Sequence, residues 1–115
     1  MTTFVLLIQS DCFASPVLAD VRRFCLAALA QGHQIDHLFF YHQAVGAIAP
    51  APDLPADEPD LVAALLADCQ QWQIPLLYCA TAAEKRGLHH ARQGFTLSGL
   101  AEFAGRLHTA KLVQF

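Results

Sequence analysis

The stretch PLLYCATAAEKRG, residues 75–87, decides the fold of this chain of 115 residues. Leu76–Cys79 is a short apolar run after a proline, which is typical of a buried strand. Directly after it, Thr81 and Glu84 have the spacing of a helix capping box, and Gly87 suits a helix exit. A strand that passes straight into a short helix is the repeating unit of an α/β fold.

The same alternation of strand and helix extends toward the start of the sequence. Phe4–Ile8 is a continuous apolar run, as expected for a buried strand. Residues 16–31 have helical periodicity, with Ser15 as the predicted cap and Gly32 as the predicted exit. The apolar side of this helix consists of Val17, Leu18, Val21, Phe24, Cys25, Ala28 and Leu29. A second strand is predicted in the apolar run from Ile35 to Tyr41.

Helix and strand also alternate toward the end of the sequence. Pro59 is predicted to open a second helix. Gly94–Thr96 is predicted to lead into a last helix, and Lys111–Phe115 closes the chain as a strand or tail. The apolar sides are Leu61, Val62, Leu65, Leu66, Cys69 and Trp72 for the second helix, and Leu97, Leu100, Ala101, Ala104 and Leu107 for the last. Both sets have the period of a helix that buries one side.

These elements predict an α/β fold with a flavodoxin-like, doubly wound and mostly parallel sheet that carries helices on both faces. The segment Ala49–Asp60, with four prolines and four acidic residues, is predicted to be a surface loop within the domain. The length fits one domain, residues 1–115. In such sheets ligands bind beyond the carboxyl ends of the strands, so a functional site is expected at that edge.

The composition limits the possible functions. Hydrophobic residues make up 55% of the chain, and the formal net charge is −3 with histidine neutral. This balance does not favour direct nucleic-acid binding, and no apolar run has the length of a membrane span. The absence of a signal-peptide pattern predicts a cytoplasmic protein. The apolar excess favours an oligomer whose subunits cover apolar surface, with a strongly apolar buried sheet as the alternative.

Cys79 is the candidate functional residue, because it stands at the predicted carboxyl end of a strand and just before a helix. The free N–H groups and positive dipole end of that helix would stabilise a thiolate, which is the nucleophilic form of cysteine. Ala80, Ala82 and Ala83 leave room for a second protein's cysteine. The alternative is a small buried residue that only packs. No Asp–His pair is evident from the spacing, which disfavours a hydrolase with a Cys–His base.

The other cysteines form no CxxC pair and no zinc-ligand spacing. Cys12 follows the first strand at the same predicted edge as Cys79, so it is either a second sulfur site or resolving thiol, or an incidental residue. Cys25 and Cys69 lie on apolar helix sides and are predicted to be core residues. In a reducing compartment all four are predicted to be free thiols.

A positive cluster is predicted close to the candidate cysteine. It consists of Lys85, Arg86, His89, His90 and Arg92. Such a cluster either steers an acidic partner and favours the thiolate, or is an ordinary solvated loop.

Leu77–Gly87 resembles the active-cysteine segment of the DsrE/TusD sulfur-relay family, in which a cysteine at a strand end precedes alanines, a basic pair and a glycine. Gln93–Leu100 and the ending Leu112–Phe115 resemble the TusD branch of the same family. Gly32–His33 and Phe39–Tyr41 match the family's second strand. The resemblance therefore spans nearly the whole chain.

The resemblance implies a flavodoxin-like fold and a hetero-oligomer of related DsrE-family subunits. It implies that Cys79 carries sulfur as a persulfide, received from a TusA-type donor and passed to a TusE/DsrC-type acceptor. In the TusD branch the implied end product is 2-thiouridine in tRNA, and in the DsrE branch the implied context is sulfur oxidation.

Two stretches depart from the family's usual pattern. Only Leu88–Gln93 stands between the Arg–Gly and Gly–Phe segments, where the family usually has more residues. The first strand leads into Gln9–Phe13 instead of a turn that resembles Gly–Pro–Tyr. The first departure lies near Cys79 and therefore bears on the choice of partner.

Two other functions compete with sulfur relay. A structural subunit without its own chemistry is the main alternative, although this chain keeps the cysteine that such subunits lose. A flavodoxin-like nucleotide or cofactor binder is the second, but no GxGxxG or P-loop motif occurs. No cofactor and no metal are predicted, since His33, His37 and His42 form no metal-ligand spacing with cysteine.

Overall fold

The structure is a computed structural model that describes residues 1–50, 54 and 57–115. The described residues contain five strands, which all lie parallel in one sheet. They are Thr3–Ile8 (β1), Gln34–Phe40 (β2), Leu76–Cys79 (β3), Phe95–Ser98 (β4) and Lys111–Gln114 (β5). Their order is β4-β3-β2-β1-β5, so the chain steps outward from β1 to β4 and then crosses back to place β5 beside β1.

Helices connect these strands and cover both faces of the sheet. They are Val17–Ala30 (α1), Leu61–Trp72 (α2), Ala80–Lys85 (α3) and Leu100–Gly105 (α4), with a 3₁₀ helix at His42–Ile48. Side chains of α1 and α2 pack on one face, here called the α1/α2 face, and side chains of α3 and α4 on the other, the α3/α4 face. The predicted α/β fold, with a parallel sheet between layers of helices, is confirmed.

The α1/α2 face holds the larger core. Alternate residues of β1 and β2 supply the sheet side of this core, and each of them is fully buried: Leu6, Ile8, Leu38 and Phe40. The helix side consists of the buried residues Val17, Leu18, Val21, Cys25, Ala28, Val62, Leu65 and Cys69. These residues belong to the apolar sides predicted from the sequence, so ordinary amphipathic packing forms this layer.

Gly94 shows how closely the chain before β4 lies on α2. Its φ is +109°, which favours glycine, and a Cβ at this position would lie 2.7 Å from the Cδ2 atom of Leu66. A side chain at this position would therefore strain the backbone and force the Leu66 side chain to shift.

The α3/α4 face holds a smaller core. Its buried members are Leu7, Phe39, Val45, Leu77, Cys79 and Ala82, and Tyr41, Leu88 and Phe103 pack against them while partly exposed. No residue of α4 is fully buried. The main apolar contact of α4 is Phe103, whose ring stacks on Phe39 with the centroids 4.7 Å apart.

An ion pair also holds α4, and a bulge in β2 makes it possible. Phe4 pairs with Ile35 and Val5 pairs with His37, so Asp36 is an extra residue in β2. Its carboxylate accepts a hydrogen bond from Nε of Arg106, at the end of α4, over 3.0 Å. The bulged residue Asp36 thus connects the central strand β2 to α4 through its ion pair with Arg106.

The structure corrects the predicted starts of α1 and α2. Ser15 does not cap α1, because its hydroxyl donates to the carbonyl oxygen of Asp11 (2.6 Å) and Pro16 precedes the first turn. Pro59 does not open α2 either. Asp60 caps that helix by accepting from the backbone N–H of Ala63 (3.0 Å).

The predicted last helix is wrong in its first part. Phe95–Ser98 is β4, and α4 starts only at Leu100, after Gly99. Leu97 and Leu100 are 62% and 47% exposed and do not share a buried helix side. The tail 111–115 resolves as strand β5, and of the predicted loop Ala49–Asp60, residues 51–53, 55 and 56 lie outside the described residues.

Candidate functional site

Cys79 is the last residue of β3 and also the residue that precedes the first turn of α3. It lies at the carboxyl edge of the sheet, where the sequence predicted it. The predicted capping box is wrong, because α3 starts at Ala80 and Cys79, not Thr81, occupies the cap position; no side-chain hydrogen bond caps this helix. The strand passes into the helix without a connecting residue, so Cys79 directly precedes the first turn, whose backbone N–H groups have no partner within the helix.

The surroundings of the sulfur are closed. Cys79 is only 2% exposed, and Ala82 and Ala83 are buried as well. The expectation that Ala80, Ala82 and Ala83 leave an open approach is therefore wrong, because Ala82 and Ala83 turn inward and pack and only Ala80 is partly exposed. The side chains that pack in the same core and still reach the surface are Tyr41, Leu88 and Phe103.

Ser98 lies beside Cys79 and was not among the predicted site residues. The two residues are register partners in the parallel pair of β3 and β4. Ser98 is 8% exposed, and its hydroxyl donates to Oε2 of Glu102 over 2.8 Å. The sequence signal was a serine within an apolar stretch, but it acquires meaning only once β4 is recognised as a strand.

A chain of charged contacts continues from Glu102 along α4. Nη1 of Arg106 lies 3.8 Å from Oε1 of Glu102, and Asp36 accepts from Nδ1 of His37 over 2.7 Å as well as from Arg106. Burial lowers the pKa of His37. Burial raises the pKa of Asp36, but the hydrogen bonds from His37 and Arg106 outweigh it and hold this pKa below its usual value. Nε2 of His37 has no hydrogen-bond partner among the described residues.

Cys12 has surroundings that disfavour a thiolate. It is buried, and its sulfur faces the carbonyl oxygens of Ser10 (3.7 Å) and Ala44 (3.9 Å). Burial, together with the negative charge of Asp11, raises the pKa of Cys12 to about 12. These surroundings favour a packing role for Cys12.

Cys25 and Cys69 are fully buried in the core of the α1/α2 face, which confirms the prediction. Burial raises the pKa of each to about 12, with a further contribution from the charge of Asp68. All four cysteines of the chain are free thiols.

The positive charge near Cys79 is smaller than predicted. Arg92 binds Asp60, with Nη2 and Oδ2 2.5 Å apart, so it supports the cap of α2 and adds no free charge. Lys85 and Arg86 are exposed at the end of α3 and form no ion pair with any carboxylate of the described residues. Two cations, Lys85 and Arg86, and the exposed histidines that follow them therefore remain of the predicted positive cluster, at and after the end of α3.

The described residues contain no group of three or more His, Cys, Asp or Glu side chains that could hold a metal ion. Within the same residues, no helix has the length and hydropathy needed to cross a membrane.

Comparison with known proteins shows which family the chain belongs to. The model of the DsrE/DsrF-like family matches residues 3–115. The chain belongs to this family. The resemblance read from the sequence is thereby confirmed, and the match includes the segment around Cys79.

Individual members of the family are similar over their full length. Sulfurtransferase TusD of Pectobacterium carotovorum subsp. carotovorum (strain PC1) is 30% identical over 129 residues, which cover 100% of both chains. Sulfurtransferase TusD of Proteus mirabilis (strain HI4320) is 30% identical over 127 residues, 98% of each chain. The crystal structure of the ychN protein from E. coli superposes with a TM-score of 0.81 over 100% of both chains at 23% identity, which shows the shared fold.

Proposed function

We propose that this DsrE/DsrF-like protein is a sulfurtransferase subunit that carries a transferable sulfur as a persulfide on Cys79. The observation that carries the proposal is the position of Cys79. It is the cysteine that joins a strand to a helix at the carboxyl edge of the sheet, in a chain that is 30% identical to proteins named sulfurtransferase TusD. Cys12, Cys25 and Cys69 are disfavoured, because their raised pKa values keep them protonated.

The relay chemistry needs only thiols and persulfides. In each transfer a thiolate attacks the outer sulfur of a persulfide, a new S–S bond forms, and the old S–S bond breaks. The electron pair of the broken bond goes to the donor's cysteine sulfur, which leaves as a thiolate. Cys79 is the attacking thiolate when it receives sulfur and the leaving thiolate when it passes sulfur on, so no external oxidant or reductant is required.

The partners in this proposal are a TusA-type donor, a TusE/DsrC-type acceptor and related DsrE-family subunits in a hetero-oligomer, in the cytoplasm. Since Cys79 is 2% exposed, binding of a partner must displace part of its cover, of which Tyr41 and Leu88 reach the surface. Lys85 and Arg86 are exposed and form no ion pair within the described part of the chain, so they suit a partner with acidic residues beside its own sulfur. The relatives are named sulfurtransferase TusD, and the TusD branch is the one for which the resemblance implies 2-thiouridine in tRNA as the end product, so the proposal takes this end use over sulfur oxidation.

Intact-mass spectrometry tests the proposal directly. The wild type, Cys79→Ser and Cys12→Ser are each mixed with a cysteine desulfurase, L-cysteine and a TusA-type carrier. We expect a gain of one or more sulfur atoms on the wild type and on Cys12→Ser, and none on Cys79→Ser. Equal gain on Cys79→Ser would show that another cysteine carries the sulfur. If no protein gains sulfur, the structural-subunit alternative replaces the proposal.

A further inference from the structure

Ser98 is a buried polar residue, and packing at a buried position does not require a hydroxyl. Among the described residues only two polar or charged residues are buried, His37 and Ser98. A buried hydroxyl is costly unless it is hydrogen-bonded, and Ser98 meets this need by donating to Glu102 over 2.8 Å. The position of this buried hydroxyl, beside the candidate sulfur carrier, requires an explanation.

The sheet makes Ser98 and Cys79 neighbours on adjacent strands. Register partners on neighbouring strands lie about 4.8 Å apart, and their side chains leave the sheet on the same face. Cys79 belongs to the core of the α3/α4 face, and Ser98 reaches α4 on that face through Glu102. A persulfide extends the cysteine side chain by one further S–S bond of about 2 Å. The hydroxyl of Ser98 can then bond to the outer sulfur as well as to the inner one.

A serine hydroxyl rotates freely between acceptors, whereas the backbone N–H groups nearby are fixed. With the thiol protonated, the best acceptor for the hydroxyl hydrogen is the carboxylate of Glu102. Once Cys79 carries a negative sulfur, a second strong acceptor lies beside the same hydroxyl. Glu102 keeps Arg106 as a neighbour at 3.8 Å, so its carboxylate retains a partner when the hydroxyl turns away.

We propose that Ser98 donates a hydrogen bond to the negatively charged sulfur on Cys79, both the thiolate and the persulfide, and that Glu102 holds the hydroxyl while the thiol is protonated. The inference rests on the proposed function of Cys79 as sulfur carrier and assigns that site a second residue. No bond to a heavy atom changes in this step, because the hydroxyl only rotates. Ser98 stabilises the thiolate that attacks during loading and the thiolate that leaves during transfer.

The pH dependence of alkylation at Cys79 tests this role. The rate of modification by iodoacetamide is followed by peptide mass spectrometry on the folded wild type, Ser98→Ala, Ser98→Thr and Thr96→Ala. Thr96 is the matched control, because it carries a hydroxyl on the same strand two residues away and is exposed. We expect Ser98→Ala to raise the apparent pKa of Cys79 by about one unit, and Ser98→Thr to restore most of the wild-type value. Thr96→Ala should change nothing.

The midpoint of the pH profile separates hydrogen bonding from packing. A variant that merely loosens the site speeds alkylation at every pH and leaves the midpoint in place. If Ser98→Ala has the same midpoint as Thr96→Ala, the inference is overturned.

Glu102→Gln tests the competition for the hydroxyl. We expect this substitution to lower the apparent pKa of Cys79 more in the wild type than in Ser98→Ala, because only the wild type has a hydroxyl to release. An equal shift in both backgrounds would show that Glu102 acts through its charge alone, which contradicts its proposed hold on Ser98.

The alkylation experiment needs no sulfur donor, so it is independent of the mass test of Cys79. If Cys79 takes up sulfur but Ser98→Ala does not raise the apparent pKa of Cys79, the inference is overturned and the proposed function stands. A raised apparent pKa of Cys79 in Ser98→Ala without sulfur loading supports the hydrogen bond to the thiolate, but overturns the proposed function and with it the part of the inference that concerns the persulfide.

Discussion

The two faces of the sheet are built in different ways. On the α1/α2 face, helices of 14 and 12 residues lay long apolar sides on the strands. On the α3/α4 face, two helices of six residues cover the strands, and α4 is held by one aromatic ring and a chain of ion pairs. The candidate site lies on the second face. The comparison indicates that apolar burial on one face stabilises the fold and leaves the other face free to carry polar groups and chemistry.

The largest expected effect is on the α1/α2 face. Leu65 is 1% exposed, so Leu65→Ala removes a buried side chain and leaves a cavity. We expect the free energy of unfolding to fall by about 2–5 kcal/mol. Urea denaturation followed by the fluorescence of Trp72 measures it. Leu100→Ala on the other face is the control and should change stability by less than about 0.5 kcal/mol, because Leu100 is half-exposed. Equal losses would break the comparison.

A smaller effect is expected for Phe103→Ala on the α3/α4 face. Its ring stacks on Phe39 but remains partly exposed, so the loss in unfolding free energy should be about 2 kcal/mol. The same substitution removes a side chain that packs in the core around Cys79, so we expect faster alkylation of Cys79 in the folded protein. Leu65→Ala should leave that rate unchanged under conditions where it is folded. A loss as large as that of Leu65→Ala would show that both faces contribute alike.

The smallest effect is a dependence of stability on pH that comes from His37. Burial keeps the folded-state pKa of His37 below the ordinary value of 6.5, so on acidification the unfolded chain takes up a proton before the folded chain does. The contribution of His37 is therefore full above about pH 6.5 and is lost as the pH falls below it, at no more than about 1.4 kcal/mol per pH unit. Asp36, whose folded-state pKa lies below 3.8, adds a loss of the same sign at lower pH.

Urea unfolding at several pH values between about 7 and 5, which bracket the ordinary pKa of histidine, measures how the free energy of unfolding depends on pH. His37→Gln should flatten it, because the titrating ring is gone while a polar group remains near Asp36 and Arg106. His89→Gln, which changes an exposed histidine, should keep the wild-type slope. A slope that His37→Gln leaves unchanged would place the titrating group elsewhere.

The sequence predicted the α1/α2 face well because its signals are long. Two helical patterns and the run Phe4–Ile8 bury most of their apolar residues, so period and burial coincide. The α3/α4 face gave weaker signals. β4 has four residues, of which two are exposed, and α4 buries none. Residues 97–107 had the spacing of one amphipathic helix, but only Leu100–Gly105 is helical and Leu97 belongs to a strand.

The candidate site was predicted only in part for the same reason. The position of Cys79 follows from local sequence, since a strand and the start of a helix meet there. The role of Ser98 depends on the register of β3 and β4, and the neutralisation of Arg92 depends on a contact with Asp60, 32 residues away. Burial of Ala82 and Ala83 likewise arises from packing against the sheet, which no local pattern records.

The position of β5 has a consequence for the order in which the fold is completed during synthesis. β1 is made first, but one of its edges pairs with β5, and the backbone of Phe115 exchanges hydrogen bonds with Leu7 and Gln9 over 2.8 Å each. Until residues 111–115 leave the ribosome, the most apolar strand of the sheet keeps an open edge that can pair with another chain. Any shortened form that stops before Lys111 keeps that edge open permanently, so aggregation of such forms is expected even though Cys79 and both of its flanking elements are intact.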